Sequence, residues 1–425
     1  MRRLRLPCAF LLLLLAGCRA APGEEPPTPP PSVDDPTCSE EIWAAVGPLG
    51  TPGQPAEAHA ETYGDAPTPF HVRLQWPTSR PHVSSGFLWR TDVDTLASVV
   101  EWGIDGQLTE RTEGASFVYG SSGPGTGVRI HEARLCGKLQ PSTTYSYRVG
   151  GEGGWSPIHT FATPGAPGSF DTVTVAMAGD SRGAYTTWAS VLELMAAHEP
   201  DLYLFSGDMV DVGGSQAEWD SWFEAAGDLW TSKVLIPAHG NHEFLAVNYF
   251  GQFALPGNEQ WFSIDYGPLH IVSLNDTVGS ANDIELFEVA FLRDDLAVAN
   301  APWTIVQHHQ AAYSATTAHG SNLTVREAWT PVFDEHGVDV VLAGHNHAYE
   351  RSVRITGDQP DPDGITYLVA GGAGAPLYTS ADDLWFTEMV QATEHYIIAE
   401  ITGNTAVFTV RDLDDTVIDT FTITK

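Results

Sequence analysis

The chain has 425 residues and a formal net charge of −34, with 17% charged and 10% aromatic residues. This length allows two or three domains with a substantial core, and the aromatic content excludes a disordered chain. Because Asp and Glu outnumber Lys and Arg 54 to 20, the composition argues against a nucleic-acid-binding surface and against adsorption to anionic lipid headgroups.

The N-terminus has the pattern of an export signal. Arg2, Arg3 and Arg5 precede an apolar run that ends in Leu-Ala-Gly-Cys18. The run is too short to span a bilayer, so residues 1–17 are interpreted as a signal peptide. The ending resembles a bacterial lipobox, which makes Cys18 the predicted lipidated residue. The alternative is an ordinary cleaved signal in which Cys18 is incidental. We expect an exported protein, lipid-anchored in a bacterial cell envelope or otherwise periplasmic or secreted.

Residues 18–64 form a Pro-rich tether and N-terminal segment, because their first half is acidic and has nothing to build a core. Once Cys8 leaves with the signal and Cys18 is lipidated, Cys38 and Cys136 remain. In an exported chain the environment permits disulfides, so we predict that these two pair. The alternative is two separate thiols.

Residues 65–165 alternate short β-like runs with turn signals, which predicts an all-β sandwich. Pro and Gly at 164–168 mark a domain boundary. From residue 170 to 425 strands and helices alternate. The segments 364–372 and 395–423 look antiparallel and predict a second sheet that completes a sandwich. Helices are predicted over 185–199, 215–230, 283–299 and 323–336.

Several apolar runs of this second part end in polar residues. Such runs predict buried parallel strands, whose carboxyl ends meet at one sheet edge where ligands bind. A Gly before several of them is expected to let the backbone turn sharply off its strand. Oxygen and imidazole groups gathered there predict a metal site with ligands for two ions. The residues are Asp180, Asp208, Asn241, His242, His308, His309, His345, Asn346 and His347.

The order GD…GD…GNHE…H…GHNHAYER resembles the calcineurin-like metallophosphoesterase superfamily. It is most similar to the purple acid phosphatase family, whose GHxHAYER ending is matched at residues 344–351. The β-rich first part is similar to that family's fibronectin-III-like N-terminal domain. The resemblance implies a four-layer α/β/β/α sandwich preceded by an all-β fibronectin-III-like sandwich.

The resemblance also implies a ligand set with Asp208 as the bridge between two metals. It places His309 rather than His308 in that set, because His309 lies six residues after Trp303 and four before Tyr313, as the family's ligand does. Strand alternation then turns His308 away. The implied ligands are Asp180, Asp208 and His347 for one metal, and Asp208, Asn241, His309 and His345 for the other.

Two positions depart from the family pattern. Asp211 stands where purple members have the iron-binding Tyr, and Arg182 stands where other relatives have a His. The first metal is therefore expected to lack a protein ligand, with water or Asp211 filling the position. Asp211 is alternatively a loop carboxylate that caps Gly213 and Gly214. The predicted cofactors are two divalent ions, with zinc, manganese and iron all open, and no iron–tyrosinate colour.

The same resemblance implies catalysis by attack of a metal-bound hydroxide on phosphorus. His242 and His319 are the candidate proton donors to the leaving alkoxide, and Asn241, His242 and Arg182 are the candidate phosphate contacts. The alternatives are a surface role for His319 and pairing with an acid for Arg182. We expect hydrolysis of small phosphate monoesters. A phosphodiesterase or nucleotidase is the alternative enzyme, and an inactive surface-binding protein is a further alternative.

Overall fold

The computed structural model describes residues 35–43, 55–120, 127–169, 172–278 and 281–425. All of these residues belong to one compact unit. The predicted signal over 1–17, its Cys18 and most of the predicted tether lie outside the described residues.

The described chain between residues 57 and 162 is all-β, as predicted. One sheet has the strand order β1-β6-β7-β3-β2, and the other has the order β10-β8-β4-β5 with β9 on β8. The sheets pack face to face, with the ring centroids of Phe87 and Tyr147 4.5 Å apart between them. The strands are β1 Glu57–Ala58, β2 Phe70–Gln75, β3 Ser85–Thr91, β4 Val99–Gly103, β5 Glu110–Glu113, β6 Ala115–Tyr119, β7 Val128–Leu135, β8 Thr144–Gly151, β9 Gly154–Trp155 and β10 His159–Ala162.

A short N-terminal segment is attached to this sandwich by a covalent bond and by hydrogen bonds. Cys38 and Cys136 form a disulfide, with their Cα atoms 5.5 Å apart. The Asp35 carboxylate accepts hydrogen bonds from the Thr78 hydroxyl at 2.8 Å and the Ser84 hydroxyl at 2.5 Å. The segment is therefore part of the folded unit from Asp35 onward.

Two mixed sheets form the second part of the chain. One has the order β13-β12-β11-β23-β24-β25, and the other has the order β14-β15-β16-β17-β21-β18-β22. Each contains a run of parallel strands, as the buried apolar sequences predict. The strands are β11 Val173–Ala178, β12 Leu202–Phe205, β13 Val234–Pro237, β14 Phe262–Tyr266, β15 Leu269–Ser273, β16 Trp303–Gln310, β17 Val340–Gly344, β18 Tyr349–Ser352, β19 Ile355–Thr356, β20 Gln359–Pro360, β21 Thr366–Ala370, β22 Thr387–Gln391, β23 His395–Thr402, β24 Thr405–Asp412 and β25 Val417–Thr424.

All four predicted helices are present, although two are interrupted. The second ends early, before Gly227 with φ +54°, and a 3₁₀ turn follows at Leu229–Thr231. In the third, a π-helical turn at Ile284–Glu288 joins α4 to α5. No helix in the described ranges is long and apolar enough to cross a bilayer. The helices are α1 Tyr185–Ala196, α2 Gln216–Ala225, α3 Val247–Gln252, α4 Ala281–Asp283, α5 Val289–Leu296 and α6 Leu323–His336.

The two sheets and the helices outside them make the predicted α/β/β/α layers. Adjacent residues of β16 show the alternation, because Ile305 belongs to the core between the sheets and Val306 packs with Trp329 of α6. On the other side, Phe205 of β12 contacts Trp188 of α1, with ring centroids 5.0 Å apart. The central strands of both sheets are therefore buried on two faces, whereas the edge strand β25 is largely exposed.

The predicted arrangement of the segment 364–372 is wrong. We expected it to pair antiparallel and to form a second sheet together with 395–423. β21 does pair antiparallel with β18, but it pairs parallel with β17 and lies in the other sheet from β23. Its five residues are all buried, which is the pattern of a central strand covered on both faces. The segment 395–423 forms antiparallel strands, and these extend the sheet that contains β11.

Buried polar contacts join the all-β part to the second part. The Tyr147 hydroxyl donates to the Thr231 carbonyl at 2.7 Å. Arg73, which is 1% exposed, donates to the Gln252 carbonyl and to Gln252 Oε1, both at 2.9 Å. One hydrophobic core extends through both parts. They therefore pack as one body.

Candidate metal centre

The predicted ligands converge at one edge of the two sheets. Asp180 follows β11, Asp208 follows β12 and Asn241 follows β13, while His309 lies near the end of β16. His345 and His347 come directly after β17. All six therefore stand at the carboxyl ends of parallel strands, where the topology of such sheets places ligands.

The first ligand group consists of Asp180, Asp208 and His347. Their ligand atoms all lie within 4.8 Å of one another, and His347 Nε2 is 3.5 Å from Asp180 Oδ1. The three residues are 0–1% exposed. Buried carboxylates in such a place need positive charge nearby, because burial without it is costly.

The second ligand group shares Asp208 with the first. Ligand atoms of Asp208, His309 and His345 also lie within 4.8 Å of one another. His309 Nε2 is 3.3 Å from Asp208 Oδ1 and 3.0 Å from Asn241 Oδ1. The structure therefore brings together all six residues of the predicted ligand set, with Asp208 common to both groups.

Backbone carbonyls set the orientation of two imidazole rings. His309 Nδ1 lies 2.7 Å from the Ser206 carbonyl, and His347 Nδ1 lies 2.8 Å from the Pro376 carbonyl. Because a carbonyl oxygen only accepts, each Nδ1 carries the proton. Each Nε2 is then the nitrogen that faces the carboxylates and is left to bind a metal in place of a proton, which is the arrangement of a histidine metal ligand.

Three of the ligands have a strained backbone. Asp180, Asp208 and His345 have φ of 61°, 56° and 66°, in the left-handed region that L residues other than glycine seldom adopt. The expected turn at the preceding glycine is present at Gly207, with φ of 94°, whereas Asp180 and His345 make the turn themselves. Gly344 instead permits close packing, because a Cβ there would stand 2.3 Å from Asp180 Oδ2. Strain of this kind is concentrated at functional sites.

Two buried carboxylates that are not ligands hold the ligand loops. Glu243 accepts from the backbone N–H groups of Asp208 at 3.0 Å, Met209 at 2.8 Å and Gly240 at 2.7 Å. Asp276 Oδ2 accepts from the His309 N–H at 2.9 Å. These bonds fix the positions of the shared Asp208 and of His309.

The electrostatics of the site favour positive charge at its centre. Burial alone would raise the pKa of Asp208, but the neighbouring His309 lowers that pKa below its ordinary value. Burial would lower the pKa of His309, but Asp208, Asp180 and Asp276 raise it well above its usual range. Burial and then the neighbouring His309 lower the pKa of His345 to about 3, so its ring is a neutral donor.

Arg182 and Asp211, the two departures from the family pattern, pair with each other. Arg182 Nη1 is 2.8 Å from Asp211 Oδ1, and Arg182 Nε is 3.5 Å from Asp208 Oδ2. Asp211 belongs to neither ligand group. The Gly213 N–H donates to the His242 carbonyl, so the expectation that Asp211 caps this turn is not met there.

Arg182 Nε is buried without a hydrogen bond, and the guanidinium adds positive charge beside the shared carboxylate.

His242 and His319 both border the ligand groups. His242 Nδ1 is 2.7 Å from the Asp211 carbonyl, and its Nε2 is 4.0 Å from Asp208 Oδ2. The His319 ring lies 4.1 Å from the His345 ring, centroid to centroid. His319 is therefore an exposed turn residue that neighbours the predicted ligand His345.

Tyr378 is a site residue that the sequence reasoning missed. Its ring stacks on His347 with centroids 4.3 Å apart and an interplanar angle of 11°. Its hydroxyl is 3.2 Å from His319 Nε2. Tyr378 lies in an irregular loop after β21, where no motif or periodicity marks it.

Comparison with known proteins gives the same assignment by an independent route. Residues 173–349 match the family Calcineurin-like phosphoesterase, and residues 69–163 match the family Purple acid Phosphatase, N-terminal domain. The chain thus contains a calcineurin-like phosphoesterase domain behind a purple acid phosphatase N-terminal domain.

Individual relatives agree with this assignment. Purple acid phosphatase 22 of Arabidopsis thaliana is 29% identical over 74% of each chain. Purple acid phosphatase 15 of the same plant is 31% identical over 67% of this chain and 62% of its own. Among solved structures, a purple acid phosphatase from yellow lupin (Lupinus luteus) seeds has a TM-score of 0.73 at 20% identity, covering 84% of this chain and 74% of its own. That structure shows the shared fold.

Calcineurin-like phosphoesterases use a dinuclear metal centre, and the residues of this phosphoesterase domain fit one. Carboxylate, imidazole and amide oxygen are hard or borderline donors that suit divalent ions such as zinc, manganese or ferrous iron. Two donor groups, buried except for the half-buried His345, meet at one shared carboxylate, which is the donor that can serve two ions at once. Both groups therefore have the chemistry that a pair of divalent ions needs.

Proposed function

We propose that this chain hydrolyses small phosphate monoesters to an alcohol and inorganic phosphate. The observation that carries the proposal is the pair of ligand groups joined at Asp208 and bordered by Arg182, His242 and His319. When bound there, two divalent ions supply Lewis-acid stabilisation of the phosphoryl oxygens and lower the pKa of water toward neutrality.

Phosphate binding is the role we assign to Arg182 and Asn241. The Arg182 guanidinium already sits between Asp208 and Asp211, and its Nε has no hydrogen bond. A phosphate oxygen at that position would give the buried N–H a partner, and charge-assisted bonds of this kind are among the strong ones. The Asn241 side chain lies 3.0 Å from His309 Nε2, close enough to the ligands for its amide to contact the same phosphate.

Protonation of the leaving oxygen is the role we assign to His242. Its Nδ1 is fixed by the Asp211 carbonyl, so Nε2 is the nitrogen that faces the ligand groups. In the doubly protonated ring this Nε2 hands its proton to the alkoxide as the P–O bond breaks. His319 is the second candidate, and its contact with Tyr378 suits it to orient the phosphate.

Export and lipidation are a further part of the proposal. The signal-like N-terminus with Cys18 supports them, and so does the Cys38–Cys136 disulfide, because structural disulfides persist in oxidising compartments. We propose a cell-envelope protein whose membrane attachment is the lipid alone. The net charge of −34 supports a small ester rather than a nucleic acid as its partner. The fibronectin-III-like character of the N-terminal domain stays a prediction.

The decisive test is phosphate release from p-nitrophenyl phosphate against bis-p-nitrophenyl phosphate, by the chain reconstituted with zinc, manganese or iron. Faster turnover of the monoester supports the proposal. Faster turnover of the diester moves the assignment to a phosphodiesterase on the same site. No turnover with any of the three metals favours the inactive surface-binding protein.

A matched variant separates this site from a contaminating phosphatase. Asp180→Asn keeps the size of a buried ligand and removes its charge, so it should abolish turnover. Glu101→Gln, which removes the partner of Arg148 on the all-β part, should leave turnover in place. Equal activity of the Asp180→Asn variant and the unaltered chain would reject the proposed site.

A further inference from the structure

Three large apolar side chains are exposed in the segments that adjoin His242, namely the loop before Gly213, the turn after His242 and the start of α3. Val212 is 47% exposed, Phe244 63% and Val247 41%, and we refer to these three residues as the apolar rim. The Phe244 and His242 ring centroids are 5.8 Å apart. The loop of Val212 is tied to the same residue, because the Gly213 N–H donates to the His242 carbonyl at 2.8 Å. The rim therefore borders the residue that we assign to the leaving group.

The backbone holds Phe244 in this exposed position under strain. Phe244 and Leu245 have φ of 53° and 51°, a region in which bulky residues are outliers. The conformation is held by the Leu245 N–H, which donates to His239 Nε2 at 3.2 Å, and by the Ala246 N–H, which donates to the Glu243 carbonyl at 2.9 Å. Strained conformations persist where the surrounding structure enforces them, and they cluster at ligand sites.

The Phe244 ring leaves an apolar surface exposed to water beside a polar site. Phe244 gains from being covered by another apolar group, because burial removes its ring from water. A flat aromatic group is the best partner, since offset stacking adds to the gain from burial. The position beside His242 makes the leaving group of the ester the part of the substrate that reaches it.

The charge of the chain restricts what that leaving group carries. A net charge of −34 repels polyanions such as nucleotides or multiply phosphorylated sugars. An aromatic leaving group without charge avoids this repulsion and leaves a single phosphate to the metal centre.

We propose that the apolar rim is a subsite for the leaving group of aromatic phosphate monoesters, with the Phe244 ring stacked against it. The inference rests on the proposed function, because the rim acts on the same reaction at His242. It assigns the choice of leaving group to Phe244 and the rest of the apolar rim, at a site that otherwise selects only for a phosphate.

The test is a comparison of phenylphosphonate and methylphosphonate binding to the metal-reconstituted chain by titration calorimetry. Neither compound can be hydrolysed, so the readout does not depend on turnover. We expect phenylphosphonate to bind more tightly. Its advantage should fall about 3- to 10-fold in Phe244→Ala, because the stacking partner is lost. Phe244→Gly, which suits the positive φ, should lose the same advantage, and Phe244→Tyr should keep it.

Val298→Ala is the matched control, since Val298 is a 71% exposed apolar residue just after α5 that should not affect either compound. Equal affinity for the two phosphonates, or an advantage that survives in both Phe244→Ala and Phe244→Gly, would overturn the subsite. Ethyl phosphate hydrolysis tests the proposed function separately. If ethyl phosphate is hydrolysed but phenylphosphonate binds no more tightly than methylphosphonate, the subsite is rejected and the proposed function stands. The phenyl advantage without any turnover rejects the enzyme and keeps the binding site.

Discussion

The rings of His308 and His309 lie on opposite faces of β16. The His308 ring contacts Trp329 of α6, with centroids 5.1 Å apart, whereas His309 Nε2 lies 3.3 Å from Asp208 Oδ1. One carboxylate serves both neighbours, because Asp276 Oδ2 is 3.3 Å from His308 Nδ1 and accepts the His309 N–H. Only His309 therefore belongs to the metal centre.

Replacing each of these two histidines gives a matched pair of variants. His309→Ala removes a donor of the second ligand group, so bound metal should fall below two ions per chain, and turnover should fall by roughly 10²-fold or more. His308→Ala should keep the metal and lose about 1–3 kcal/mol of stability, because Asp276 loses a buried hydrogen bond. Elemental analysis and urea unfolding check both. Loss of metal in His308→Ala with retention in His309→Ala would contradict the ligand assignment.

The iron-loaded protein should lack a tyrosinate colour. Asp211 stands where the colour-giving Tyr would be, and its carboxylate pairs with Arg182 at 2.8 Å. The visible spectrum of the ferric form should therefore show no tyrosinate charge-transfer band. Asp211→Tyr is the variant that should gain one. A purple preparation of the unaltered chain would mean that another phenol reaches the metal.

Tyr378→Phe should weaken catalysis without releasing metal. The variant keeps the ring that stacks on His347 and loses the hydroxyl that contacts His319. Loss of hydrogen bonds of this kind costs about 1 kcal/mol, so kcat/KM should fall about 5-fold. Tyr396→Phe, which loses a bond to Asp415 at 2.8 Å, is the control and should change kcat/KM little. An unchanged kcat/KM in Tyr378→Phe would remove the hydroxyl from the mechanism.

Stability should fall as the pH rises from 6.5 through 9, because of His270. Burial lowers the pKa of this ring, but Asp265 and Asp295, each 2.8 Å away, raise it to about 9. A pKa raised above its unfolded value contributes stability that is complete below 6.5 and lost by about 9. The contribution is about 3 kcal/mol.

His270→Gln should remove this dependence, so the difference in unfolding free energy between variant and unaltered chain should shrink by about that amount between pH 6 and 9.5. The control is His131→Gln, since burial and then Arg129 lower the pKa of His131 to about 3 and keep the ring neutral over this range. If urea titrations gave a difference for His270→Gln that does not change with pH, the His270 ring would not be doubly protonated in the folded chain.

Removing the disulfide should destabilise the chain. Cys38 and Cys136 are 98 residues apart in sequence, and closing a loop of that size restricts the unfolded chain. The double variant to Ser should unfold with about 2–5 kcal/mol less free energy. Unaltered protein treated with a reductant should match it. A double variant as stable as the oxidised chain would leave Asp35 and its hydrogen bonds as the main attachment of the N-terminal segment.

The sequence predicts the metal ligands well because their motifs sit at strand ends. Asp180 and Asp208 come directly after buried apolar runs. Their place at the sheet edge depends on local pattern and on the general topology of parallel sheets. The four-layer architecture and the choice of His309 over His308 come from the resemblance to the metallophosphoesterase motifs.

Other features depend on contacts that no local pattern encodes. The apolar sequence of 364–372 is compatible with either parallel or antiparallel pairing. Only its position between β17 and β18 in the sheet decides the pairing. Tyr378 lies in a loop without periodicity, so its stacking on His347 comes from tertiary packing. The pairing of Arg182 with Asp211 is similar, because many acids were available and geometry selected one.

The left-handed backbone at Asp180, Asp208 and His345 lowers the stability of the chain at residues that its activity needs. Each such residue costs about 1–2 kcal/mol relative to an ordinary conformation, so glycine at His345 would relieve strain while removing a ligand. Laboratory evolution for heat resistance alone would be expected to discard these residues early. Selection for heat resistance should therefore be run with a phosphatase screen in the same round.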